Sequence, residues 1–226
     1  MTALSALSTR RAAYLISDAG LFDVRTGELL NFVPKVLCLS AMSMAIGIQG
    51  YGTVKALVEH LDSPLIVPSQ AGILEALPNA LAGMRITAPM KPLSETRLWI
   101  AMFDRARRRP WLGTLTSGIM PDGDGIPYQI EEGGGISGLT NAELETAFPD
   151  GWPENPERDA VDILRMQRAR PFPSLQGATG VSGECAIYTI DAKGVSYRPL
   201  MRYDDAIGRR ADPALQPVML DTPTAG

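Results

Sequence analysis

A threonine, Thr2, stands directly behind Met1. An aspartate, a lysine and a glycine follow it in apolar surroundings: Asp18 in Leu-Ile-Ser-Asp-Ala-Gly, Lys35 in Val-Pro-Lys-Val-Leu, and Gly47 in Ala-Ile-Gly-Ile-Gln-Gly-Tyr-Gly. A threonine hydroxyl is a poor nucleophile by itself, but it becomes useful when its own free α-amine serves as the base. Loss of Met1 creates that arrangement, and a small second residue is what methionine-trimming enzymes accept. The α-amine has an ordinary pKa of about 7.7–8.0, close to neutral pH, so it can take a proton and return it.

Taken singly, each residue has a plainer explanation. Many chains begin Met-Thr. Asp18 suits a turn cap with Ala19 and Gly20, and Lys35 after Pro34 suits an edge strand facing solvent. Only the joint spacing lifts the set above these readings. Other chemistries have less to stand on. His60 is the sole histidine and reads as a surface or partly buried helical residue, so neither a zinc site nor a Ser-His-Asp triad is expected. The Gly-rich stretch 133–138 lacks the Gly-Lys-Ser/Thr ending of a phosphate loop. No metal and no cofactor are implied.

The elements that must position these residues can be read from the pattern. The chain has 226 residues, 45% hydrophobic and 20% charged. That balance suits one large globular domain with its own core. A net charge of −4 does not favour nucleic acid as a partner. No apolar run approaches the ~20 residues of a membrane span, and the first residues lack the order of a signal peptide. A soluble, cytoplasmic protein is expected. Cys38 and Cys185 read as buried free thiols.

Compact apolar runs at residues 12–17, 33–39 and 42–48 predict strands, nearly apolar throughout and therefore covered on both faces. The period then changes. Val54, Leu57, Val58 and Leu61 share one helix face. A second helix from about Ser69 turns Ile73, Leu74, Leu77 and Leu81 inward, with a kink or break at Pro78. Strands resume at residues 97–103 and 111–117, around a basic tip at 105–110. That tip reads as a solvated turn, with an anion site as the sharper alternative. A strand near 128–132 runs into the Gly-rich stretch. Thr140 and Glu143 form a capping box, and Asn155 with Pro156 opens a helix whose inner face carries Ala160, Ile163, Leu164 and Gln167. Residues 184–190 and 195–201 make a closing hairpin. A domain over residues 1–208 followed by an irregular tail, 209–226, is expected. Strands, helices, strands, helices, strands fit two sheets with helices outside, and equally one antiparallel sheet with helices on one side.

In this order the residues resemble the proteasome β-subunit family, with its bacterial HslV-like peptidases, among the N-terminal nucleophile (Ntn) hydrolases. The likeness runs from about Thr2 to Tyr203. It rests on the sixteen-position spacing of Thr2 and Asp18, on Lys35 before an apolar strand, and on Gly47 before a helix. Ser137 stands in a Gly-Ser-Gly-like turn, and Ser182 in Val-Ser-Gly-Glu-Cys-Ala ahead of the last hairpin. The resemblance implies an α+β fold, a four-layer α/β/β/α Ntn-hydrolase sandwich. It implies that the Thr2 hydroxyl attacks a peptide or amide carbonyl and forms an acyl-enzyme. Lys35 would ease the forming alkoxide, Asp18 would hold Lys35 charged, and the Gly47 N–H would meet the oxyanion. Ser137 and Ser182 would complete the network near the amine.

The resemblance also implies a homo-oligomeric ring or related assembly, with an ATPase as a possible partner. Two features depart from the family. Thr179 stands where an aspartate is usual, three positions before Ser182, and the first strand does not alternate cleanly. They motivate a rival expectation, a catalytically inactive proteasome-like assembly subunit. An unrelated α/β binding domain is a third, and it predicts Thr2 and Lys35 far apart.

Overall fold

A computed structural model describes residues 3–50, 52–87, 96–118, 125–149, 155–172, 175 and 177–220. Thr2, the expected nucleophile, lies outside the described residues. The chain is mixed α/β, and every pairing between its named strands is antiparallel.

The first third is strands: β1 (Leu4–Ser8), β2 (Ala13–Ser17), β3 (Gly20–Phe22), β4 (Leu29–Phe32), β5 (Val36–Leu39) and β6 (Met44–Gly50), with a 3₁₀ turn at Ser40–Met42. Helices α1 (Val54–Leu61) and α2 (Gln70–Thr87) follow. Then come β7 (Thr96–Asp104), β8 (Arg109–Thr116), β9 (Ile130–Glu132) and β10 (Gly135–Ile136). Helices α3 (Asn141–Ala147) and α4 (Pro156–Ala169) precede β11 (Gly183–Asp191), β12 (Gly194–Tyr203) and β13 (Val218–Met219). One sheet runs β10-β1-β2-β11-β12-β13, a second β5-β6-β7-β8-β9, and β3-β4 is a separate hairpin.

Three apolar clusters account for the patterning. Leu4, Ala6, Ala13, Leu15 and Ile190 of the six-stranded sheet meet Val36, Ala45, Trp99, Ala101 and Leu112 of the five-stranded sheet. The opposite face of the six-stranded sheet, with Tyr14, Ile16 and Ile187, packs on Ala160, Ile163 and Leu164 of α4 and on Leu144 of α3. The opposite face of the five-stranded sheet, with Ile46, Ile48, Leu98 and Ile100, packs on Leu57 of α1 and on Ile73, Leu77 and Leu81 of α2. Strands covered on both faces read as continuous apolar runs. This explains why β1 fails to alternate: its first four residues are all buried.

Several expectations need correcting. No break occurs at Pro78, because α2 is continuous through it. Buried contacts at Ile73 and Leu77 before the proline and at Leu81 after it hold the helix, and packing outweighs propensity. Val58 is exposed rather than inward. Cys38 is exposed as well, since β5 is an edge strand and that residue faces outward. The strand near 128–132 is shorter than expected, with Tyr128 in the left-handed region at φ 59°. The tail expected to be irregular carries β13, paired with β12 through Met201↔Met219 and Arg202↔Val218. Among the described residues, no helix is long and apolar enough to cross a membrane.

Candidate functional site

The Leu4↔Ser17 pairing sets the start of β1 beside the end of β2. Asp18 is the next residue along, so it stands at the sheet end where the chain begins. The Asp18 carboxylate is buried and fully engaged. Its Oδ1 accepts from Lys35 Nζ at 2.6 Å, and its Oδ2 accepts from the backbone N–H groups of Gly20 and Ser182 at 2.9 and 3.0 Å. Lys35 enters just ahead of β5, where its carbonyl accepts from the Ile48 N–H, and its side chain is 5% exposed. The surface-lysine reading is therefore excluded. Burial pulls the Lys35 ammonium below the ordinary lysine range, and the charge and hydrogen bond of Asp18 oppose that pull. Cys185 is buried nearby, and its thiol is pushed up by burial and by the Asp18 charge. Gly20 is required by close approach: a Cβ there would lie 2.9 Å from the Ser182 Cβ and 2.7 Å from the Phe22 ring.

Ser182 joins this group through every polar atom. Besides its N–H, its hydroxyl donates to Asp205 Oδ2 at 2.6 Å, and its carbonyl accepts from the Ala19 N–H. Ser137 sits on the β1 side, where its hydroxyl oxygen accepts from the Leu4 N–H at 2.9 Å. Gln167 of α4 donates to Ser137 O at 2.8 Å, and at 3.3 Å to the hydroxyls of Ser5 and Ser137. The structure thus brings Lys35 and Ser182 each into direct contact with Asp18 and places Ser137 against the first residues of β1.

Gly47 is not delivered as a free donor. It lies inside β6, paired with Val36 on one side and Trp99 on the other. Phe103 donates to the Ser43 carbonyl, and hydrogen-bonded pairs alternate along an antiparallel ladder. In this register the 47–99 pair is therefore hydrogen-bonded, and the Gly47 N–H faces β7. Its lack of a side chain serves packing instead, since a Cβ there would come within 2.5 Å of Leu4 Cδ1.

Two charged residues escaped the sequence reading. Arg168 and Asp205 form a pair with side chains only 2% and 3% exposed, at 2.7 Å. Arg168 had a signal: it continues the 160, 163, 164, 167 stripe by one step of helical period, and an arginine on a buried stripe requires a buried anion. Asp205, just past β12, had none. Thr179, in the usual aspartate position, is buried and accepts from the Val181 N–H at 3.4 Å.

The basic tip at 105–110 follows the solvated-turn reading. Arg105 donates to Ala41 O and Ser43 Oγ, while Arg107 and Arg109 pair with Asp104 and Glu132. His60 is half-buried in the last turn of α1. No metal-ligating cluster occurs among the described residues. No protein-family model matches the chain, and no curated protein matches it.

Proposed function

We propose that the chain is a proteasome-like N-terminal threonine hydrolase that cleaves peptide or amide bonds once Met1 is removed. One observation carries this reading. A buried lysine ammonium is held on a buried carboxylate at the sheet end where the first strand starts, the arrangement a threonine at the chain's beginning needs to stabilise its alkoxide. The three cores, helices on sheet, sheet on sheet, sheet on helices, support reading the fold as a four-layer α/β/β/α Ntn sandwich.

In the proposed reaction the Thr2 α-amine takes the hydroxyl proton as the oxygen bonds to the carbonyl carbon. The carbonyl electron pair moves onto its oxygen. The amine then passes the proton to the leaving nitrogen as the C–N bond breaks, leaving an ester. Water hydrolyses that ester by the same route and frees Thr2. Lys35 lowers the cost of negative charge on the attacking oxygen, with Asp18 and Ser182 holding it in place. For the oxyanion donor, the N–H of Gly50 replaces that of Gly47. By the same alternation it faces the Lys35 side of β6, where β5 has already ended. By resemblance the chain assembles into a homo-oligomeric ring or related particle, open to an ATPase partner.

Labelling with a peptide epoxyketone, which requires a hydroxyl beside a free amine, tests this reading. The expected result is a covalent adduct on Thr2 with loss of peptide hydrolysis in Thr2→Ala. Hydrolysis by Thr2→Ala at the parental rate would sink it. The rival assembly-subunit reading draws on Thr179, which supplies no carboxylate. Intact mass separates the two, because a retained Met1 leaves no free amine on Thr2.

A further inference from the structure

We infer that Arg168 and Asp205 are a positioning pair for this site, holding Ser182 and, through it, Asp18 and Lys35. The inference rests on the hydrolase reading above and adds two residues that the reading does not contain.

The Asp205 carboxylate has no free lone pair of consequence. Its Oδ2 accepts from the Ser182 hydroxyl at 2.6 Å and from Arg168 Nη1 at 2.7 Å. Its Oδ1 accepts from Arg168 Nη2 at 2.8 Å and from the Asp212 N–H at 3.1 Å. Arg168 also donates to the carbonyls of Val181 and Asp212, and its guanidinium lies 4.3 Å over the Tyr203 ring. The 181–182 peptide is therefore gripped from both ends. Arg168 takes the Val181 carbonyl, Asp18 takes the Ser182 N–H, and Asp205 takes the Ser182 hydroxyl.

Stability alone does not explain this arrangement. A buried ion pair often contributes no more than apolar residues of similar volume, and in some proteins such a pair is kept for the geometry it fixes. Here the geometry has a recipient. Charges run cation, anion, serine, anion, cation from Arg168 to Lys35. Ser182 bridges the two halves of that chain, with its hydroxyl on Asp205 and its N–H on Asp18. With its hydroxyl aimed at Asp205, its N–H is fixed on Asp18 Oδ2, and Asp18 Oδ1 is left for Lys35. The last turn of α4 and the segment after β12 thus aim a cation that neither element touches.

The test uses the whole chain with three variants: Asp205→Asn, Ser182→Ala and the double. Asp205→Asn is expected to lower the rate of peptide-epoxyketone labelling by about 10²-fold, the size expected when a reacting group is misplaced from outside the site. The double variant is expected to label no more slowly than Ser182→Ala alone, because Asp205 acts through that hydroxyl. A folded Asp205→Asn chain that labels at the parental rate overturns the inference. So does a double variant whose loss is the product of the single losses.

If the parent chain does not label at all, the hydrolase reading fails. The positioning role is then read from the ammonium resonance of Lys35 by nitrogen NMR, which needs only a folded chain. That resonance should move in Asp205→Asn, and an unmoved one overturns the inference. Should Asp205→Asn not fold because it strands a buried guanidinium, Arg168→Met with Asp205→Leu removes both charges together and is read by the same two signals.

Discussion

At the scale of the residue, the chain's distinguishing feature is a set of buried charges that are individually costly and paired with one another. Lys35→Met leaves Asp18 as a buried anion without its cation, and removing one partner of such a pair costs about 3–5 kcal/mol. Urea unfolding of Lys35→Met against the parent measures that loss, and a loss under ~1 kcal/mol would be the surface-pair value instead.

Asp205 makes a pH prediction. Burial alone would raise its carboxyl, but the hydrogen bonds from Arg168 and Ser182 outweigh that and hold it below the ordinary 3.8. As pH falls, the unfolded chain therefore takes up this proton first. The stability Asp205 confers is complete above its ordinary value and is lost as pH drops through its lower native value. Thermal unfolding between pH 5 and pH 2 should show a shallower acid slope in Asp205→Asn than in the parent. Asp18 and Lys35 were legible as candidates from their spacing behind Thr2. Their contact was implied only by the resemblance and not by local pattern, because a hydrogen bond across seventeen positions depends on how two strands are laid side by side.

At the scale of the element, local rules held where local chemistry decides. The capping box of α3 forms as expected: the Thr140 hydroxyl accepts from the Glu143 N–H, and the Glu143 carboxylate accepts from the Thr140 N–H at 2.7 Å. Thr140→Ala should lower stability by about 1 kcal/mol, read as a shift in the denaturation midpoint at constant slope. Asn155 with Pro156 opens α4 as read. Pro78 does not break α2, because the helix is held by the sheet beneath it. Pro78→Ala restores a backbone donor in the helix interior and removes a ring clash. It should raise stability by up to ~3 kcal/mol, and a destabilised Pro78→Ala would show that the local geometry requires the proline. Gly47 was misassigned for a related reason. The run 42–48 already placed it in a strand, as the pairing on both sides has it, but the oxyanion role came from the resemblance, and ladder parity decides where its N–H points.

At the scale of the whole molecule, the ionisable groups buried with the core set the alkaline limit. Burial and the neighbouring Cys185 raise the Tyr203 hydroxyl from 10.0 to about 12. Burial raises Cys185 and Tyr188 as well. For each of these groups the unfolded chain loses its proton first, so stability declines as pH climbs past the ordinary value toward the native one. Lys35 works in the opposite sense. Its native value is lowered, so it adds stability as pH rises toward 10.5. The three groups outnumber the one, and a net loss between pH 10 and pH 12 is expected. Tyr203→Phe should flatten that loss while keeping the ring beneath Arg168. Equilibrium unfolding at stepped alkaline pH measures it, and an unchanged slope in Tyr203→Phe would refute the assignment.

Sequence alone determined the element types, the caps, the inner stripe of α4 and the candidates Asp18, Lys35, Ser137 and Ser182. The elements, caps and stripe follow from period, turn chemistry and residue type, all properties of neighbours along the chain, while the four site candidates came as a set from the family resemblance. Tertiary structure decided that Lys35 is buried on Asp18, that the Gly47 N–H faces β7, that Cys38 is exposed, and that Arg168 and Asp205 grip Ser182. Each of those depends on which strands pair, in what register and under which helix, and the burial energy that settles such choices is shared among residues far apart in sequence.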